Sequence, residues 1–119
     1  MPVAMRHEHG NIYGLEIRGT LRKADFEQCE KMLAAEIERI GPVRLLILLE
    51  GFEGWESPAN WNDLTFYVKH GDSIERIAIV GDERWRSEAL MFASADLRRG
   101  PVEFFTKEAI TKARTWLAA

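Results

Sequence analysis

Ile74-Glu75-Arg76-Ile77-Ala78-Ile79-Val80-Gly81-Asp82-Glu83-Arg84-Trp85 is the stretch that decides the fold of this chain. A short apolar run rich in β-branched residues ends in Gly-Asp and opens into a helical pattern. That is the signature of a buried strand whose far end delivers a carboxylate and an indole to one place. Ahead of it lies a second cluster, Trp61-Asn62-Asp63-Leu64-Thr65-Phe66. Further upstream, Val43 to Leu49 is nearly all apolar and reads as a second strand buried on both faces.

The same reasoning extends to both ends. Ile12 to Gly19 alternates Tyr13, Leu15 and Ile17 with Gly14, Glu16 and Arg18, the period-2 pattern of a strand with one buried face. Val3 to Glu8, followed by Gly10-Asn11, reads as its hairpin partner. Phe26, Cys29, Leu33, Ile37 and Ile40 form the stripe of an amphipathic helix, which Gly41-Pro42 stops. Ser57-Pro58 resembles a helix start, with Trp61, Leu64 and Val68 on the inner face and Gly71 at the end. Asp82 is placed to cap a helix carrying Trp85, Ala89, Phe92 and Ala93. Gly100-Pro101 leads into a strand from Val102 to Phe105. Thr106 then caps a last helix that turns Ala109, Ile110, Ala113, Trp116 and Leu117 inward.

The order β-β-α-β-α-β-α-β-α predicts an α/β fold, a mostly parallel sheet with an N-terminal β-hairpin and four helices. The 119 residues suit one domain, 1–119, with one core. Sequential right-handed crossovers tend to place helices on one face of the sheet. The opposite face of Val43 to Leu49 then needs cover from another helix, from the hairpin or from a second subunit, so a homodimer is one arrangement that meets the demand.

With 46% hydrophobic residues, 29% charged and a net charge of −3, the composition is that of a soluble globular protein. The longest unbroken apolar stretch, Leu45 to Leu49, is far below the roughly 20 residues of a membrane-spanning helix. The N-terminal residues lack the apolar core of a signal peptide, so the expectation is a cytoplasmic protein that is not transmembrane. The single cysteine, Cys29, excludes an intramolecular disulfide, and its place on the apolar helix stripe favours a packed thiol over a nucleophile. Between Glu50 and Val68, Glu50, Glu53, Glu56 and Asp63 face no basic residue, a stretch that repels phosphate and argues against nucleic acid.

Ligands of open parallel sheets bind beyond the carboxyl ends of the strands. Glu50, Phe52, Trp55 and Trp61 follow one such end, and Asp82 and Trp85 follow the next. These six form the candidate binding edge, an acidic one with three tryptophans that either wall a cavity, anchor a partner or cap the core. Asp63 sits within reach of Trp61 for a structural contact. Other chemistry has less behind it. His7 and His9, two apart on a strand, point to one face, but no third metal ligand lies near, so no metal site is assigned. Gly51-x-x-Gly54 lacks the lysine of a phosphate loop and the spacing of a dinucleotide site, and no cofactor is expected. Glu50 and Asp82 at adjacent strand ends offer paired carboxylates, yet without a nucleophile or an oxyanion site the chain reads as non-enzymatic.

Three blocks together resemble one family: Trp61-x-Asp63-Leu64-x-Phe66, Arg76-Ile77-Ala78-Ile79-Val80-Gly81-Asp82-x-x-Trp85, and Phe104-Phe105 before a helix closing with Ala113-x-x-Trp116-Leu117. The chain is similar to the SpoIIAA-like proteins, which share the fold of STAS domains, from strand Ile12 to Gly19 through to the C-terminus. The resemblance implies a STAS-like fold and a binding or regulatory role. STAS antagonists are phosphorylated in an Asp-Ser-[Ser/Thr]-Gly turn after the third strand. Here that turn reads Glu50-Gly51-Phe52-Glu53-Gly54-Trp55-Glu56-Ser57, longer and without the motif. Ser57 is its only hydroxyl, and a helix cap before Pro58 accounts for it. A phosphate there would sit beside Glu53 and Glu56, so no phosphorylation site is assigned. The expected function is docking of a protein partner, or of a second copy, through a flexible Phe52–Trp55 loop. The alternative is carriage of a small apolar or amphipathic ligand, by analogy with the similarly built CRAL-TRIO domains.

Overall fold

The stretches at 12–21, 43–55 and 74–81 pair side by side because each needs both a ladder partner and cover for its apolar residues. The structure, a computed structural model, describes residues 3–57, 70–93, 95 and 99–119. Its strands are β1 (Val3–His9), β2 (Ile12–Leu21), β3 (Val43–Trp55), β4 (Ile74–Gly81) and β5 (Val102–Thr106). They form one five-stranded sheet in the order β1-β2-β3-β4-β5. The β1–β2 hairpin is antiparallel and every other pair is parallel, the expected α/β class. The described helices are α1 (Lys23–Ile40), α2 (Arg86–Phe92) and α3 (Ile110–Ala118). Of the four expected helices, these three are present among the described residues. The fourth, expected from Ser57-Pro58 to Gly71, lies outside them apart from its ends, where His70 leads into a short turn at Gly71–Ser73.

The two sides of the sheet carry separate apolar clusters. Cys29, Leu33 and Ile37 of α1 and Ala89 in the middle of α2 pack on Leu15, Ile17, Leu45, Leu49, Ile77, Ile79 and Phe104. On the other side, Ala113 and Leu117 of α3 pack on Ile12, Leu46, Leu48, Ala78 and Val80. Of the three covers open to the second face of β3, another helix, the hairpin or a second subunit, the chain's own last helix supplies it. Leu46 and Leu117, 0% and 1% exposed, contribute about 1.5–3 kcal/mol each by leaving water.

Two arginines fasten that helix. Arg44 and Arg76 stand opposite each other on β3 and β4, a pairing that like charges disfavour. Arg44 donates to the carbonyls of Leu117 (2.7 Å) and Ala119 (2.6 Å), and Arg76 to that of Trp116 (2.6 Å). The negative end of α3 and the Glu75 carboxylate, 3.0 Å from Arg44, offset the repulsion. Arg76 also lies 5.1 Å over the Trp116 ring.

Three boundaries differ from the sequence reading, each for a physical reason. β3 does not stop at Leu49; it continues beside β2 to Trp55. The helix after Asp82 begins with a tight turn at Glu83–Trp85, and α2 proper starts at Arg86. The last helix likewise opens with a turn at Lys107–Ala109, and Thr106 ends β5 without a side-chain cap bond. His7 and His9 do not share a face. A register shift between them sets His7 opposite Tyr13 and His9 opposite Ile12, whose side chains belong to opposite clusters.

Candidate functional site

The carboxyl end of β3 is shaped by its glycines. Its register against β2 slips twice, between the Arg18–Glu50 and Gly19–Phe52 pairs and again before Thr20–Gly54. Gly51, at the first slip, has φ +55°, a conformation a side chain would resist, and this bulge lets the strand carry an extra residue and keep pairing. In consequence Glu50 stays with Leu48 on the α3 face, whereas Phe52 and Trp55 both turn toward the α1–α2 face. The expected flexible loop is thus a bulged strand.

On the α1–α2 face the aromatic residues form a nest. Phe52 is 5% exposed and belongs to the core, which corrects its reading as a loop anchor. Edge-on above it stand Trp55 and Trp85, with centroids at 5.0 and 4.9 Å. The two indoles are 5.9 Å apart, and Trp55 also meets Phe92 at 5.4 Å. Phe92 in turn packs against Phe26 of α1 at 5.0 Å. These separations fall in the range where aromatic pairs contribute beyond area burial. Gly54, with φ +109°, a conformation a side chain would resist, lies against the tip of the Trp85 ring. Both indoles remain half-exposed. The Trp55 Nε1 atom is buried and has no hydrogen-bond partner among the described residues, an arrangement that costs about 1–3 kcal/mol.

Around the nest, charged groups have distinct tasks. The Asp82 carboxylate accepts from the Arg84 N–H at 3.0 Å and so caps the Glu83–Trp85 turn, as its position before a helical stretch implied. Arg84 lies 4.8 Å over the Trp85 ring, and Arg86 is held by Glu83 at 2.8 Å. Glu56 accepts from the Lys23 N–H at 3.1 Å, an acid at the start of α1 where the helix dipole favours it. Glu53 is exposed.

Glu50 is elsewhere. Its carboxylate lies 3.3 Å from Arg18, which also contacts Glu16 at 2.5 Å, on the face covered by α3. There it lines a cavity of about 330 Å³ with Leu48, Val80, Lys107 and Ile110. The single edge inferred from sequence is therefore two surfaces on opposite faces of the sheet. Arg18 and Lys107 were not foreseen as site residues, and only Arg18 carried a signal, its place on the polar side of the β2 alternation.

Of the remaining candidates, Trp61 and Asp63 lie outside the described residues. Ser57 is exposed in a bend at the edge of the described segment. Cys29 is buried, and burial pushes its thiol pKa up, which suits a packed thiol. His7 contacts the Gly10 carbonyl at 2.6 Å and the Tyr13 ring at 4.9 Å. No group of three or more metal-binding side chains occurs among the described residues, and no helix there is long and apolar enough to cross a membrane.

Known proteins share this architecture. A family described as SpoIIAA-like matches residues 12–118. A crystal structure of an uncharacterised protein from the DUF3478 family of Shewanella loihica PV-4, described as having a SpoIIAA-like fold, superposes with a TM-score of 0.68. The two chains are 25% identical over 97% of this one and 91% of the other. No curated protein matches significantly.

Proposed function

The chain belongs to the SpoIIAA-like family, and from that premise we propose that it is a non-enzymatic, cytoplasmic binding or regulatory module that docks a protein partner through the aromatic nest. The observation that carries this reading is the pair of half-exposed indoles, Trp55 and Trp85, packed edge-on over the buried Phe52. Tryptophans fixed in one geometry lose little entropy on binding and dominate interface energetics. Exposed Glu53, Asp82 and Glu83 give the nest a polar rim, and Met91, 76% exposed on α2, adds an adaptable apolar side chain.

A second reading, carriage of a small apolar or amphipathic ligand, is favoured by the buried Trp55 Nε1, a donor with no partner among the described residues that suits the polar head of such a molecule. One experiment separates the two. Tagged wild-type protein and its Trp85→Ala variant are purified gently from the native host and measured by native mass spectrometry. A partner protein present with the wild type and lost from the variant supports docking. A small-molecule adduct lost in the same way supports carriage. A complex that Trp85→Ala leaves intact removes the nest from either role.

A further inference from the structure

We infer that the cavity on the α3 face is a binding site for a small organic monoanion with an apolar body, a short-chain carboxylic acid being the type. It is distinct from the nest, because β3 separates them: Glu50 and Leu48 face the cavity and Phe52 faces the opposite side.

The site is built where two strands part. The β3–β4 ladder ends at the Leu48–Val80 pair, while β3 continues along β2 to Trp55. The divergence opens the sheet at the carboxyl end of its strands, where parallel sheets bind ligands. Leu48, Val80 and Ile110 supply an apolar floor. The volume of about 330 Å³ is at the lower end for small-molecule sites and equals that of about ten water molecules.

Charge at the rim decides the ligand's polar end. Two cations, Arg18 and Lys107, and one carboxylate, Glu50, line the opening. Arg18 is already engaged by Glu16 and Glu50. Lys107 is exposed and has no acidic partner among the described residues, so its ammonium is the group that receives an anion. The neighbouring Glu50 opposes a second negative charge, which selects a monoanionic carboxylate over a phosphate dianion.

Octanoate titrated into ¹⁵N-labelled protein at fixed ionic strength tests this assignment. Saturable amide shifts at Gly51, Val80 and Lys107 are expected, with a Kd in the millimolar range for a ligand of about ten non-hydrogen atoms. Lys107→Gln should weaken binding roughly three- to tenfold, Lys107→Arg should restore it, and uncharged octanamide should bind more weakly than octanoate. Lys107 is exposed, so neither substitution disturbs the core. Trp55→Ala should leave the titration unchanged, which keeps this site's fate independent of the nest's. The inference is overturned if the shifts centre on the Trp55 and Trp85 indoles, if Lys107→Gln binds octanoate as the wild type does, or if octanamide binds equally well.

Discussion

Replacing Trp55 by Phe separates the geometry of the nest from its chemistry. Phenyl in place of indole removes roughly 40 Å² of apolar surface, worth about 1 kcal/mol at 25 cal/mol per Å². It also removes the buried Nε1–H, which has no partner among the described residues and whose burial costs about 1–3 kcal/mol. The two contributions oppose each other, so Trp55→Phe should leave stability unchanged or raise it by up to about 2 kcal/mol. Urea unfolding followed by far-UV circular dichroism reads the change without relying on the altered tryptophan fluorescence. With a slope of about 2 kcal/mol per M, the midpoint should stay fixed or rise by up to about 1 M. Phe52→Ala is the control. Phe52 is 5% exposed beneath both indoles, and its truncation should cost about 3–5 kcal/mol. If Trp55→Phe loses about 2 kcal/mol or more, the indole N–H is hydrogen-bonded in the folded protein, and the argument for a free donor fails.

Leu117→Ala, at a residue 1% exposed in the cluster under α3, should cost about 3–5 kcal/mol by urea unfolding, because a small domain cannot collapse around the lost leucine without moving the helix. Gly100→Ala should destabilise by about 2 kcal/mol or more in the same assay. Its Cβ would approach the Glu75 carbonyl oxygen to 2.3 Å, and backbone cannot rotate away as a side chain can. The Glu36 carboxylate, hydrogen-bonded first by Arg39 and then by Tyr13, has its pKa lowered from 4.5 to about 2. A carboxylate lowered on folding stabilises above its unfolded pKa and loses that effect as pH falls through its folded one. The stability gap between wild type and Glu36→Gln should therefore be full above pH 4.5 and close toward pH 2 in denaturation curves collected across that range.

Local pattern carried most of the strand reading. Alternation in β2, the unbroken apolar runs of β3 and β4 and the Gly41-Pro42 stop each act over a few residues, and each element starts where its pattern placed it, although β3 continues past its apolar run to Trp55. Asp82 likewise caps where its pattern implied, although the turn it caps, Glu83–Trp85, precedes the helix proper. The site was less legible. Nothing in Glu50-Gly51-Phe52 distinguishes a loop from a bulged strand, because the difference is whether β2 offers ladder bonds as far as Leu21. That slip in register put Glu50 and Phe52 on opposite faces and split one expected edge into a nest and a cavity.

Lys107 and Arg18, separated by most of the chain, line one cavity with Glu50 because β2 and β3 are adjacent and the chain returns to that face of the sheet at α3. The order of elements, their type and the gathering of Trp55 and Trp85 at one end were set by the sequence alone, since strands that alternate with helices must run parallel and deliver their ends to the same side. Only the tertiary structure decided which face each helix covers and what stands beside Glu50. Those outcomes depend on pairings between residues far apart in the chain, whose cost in loop entropy is met by packing that no short window of sequence contains.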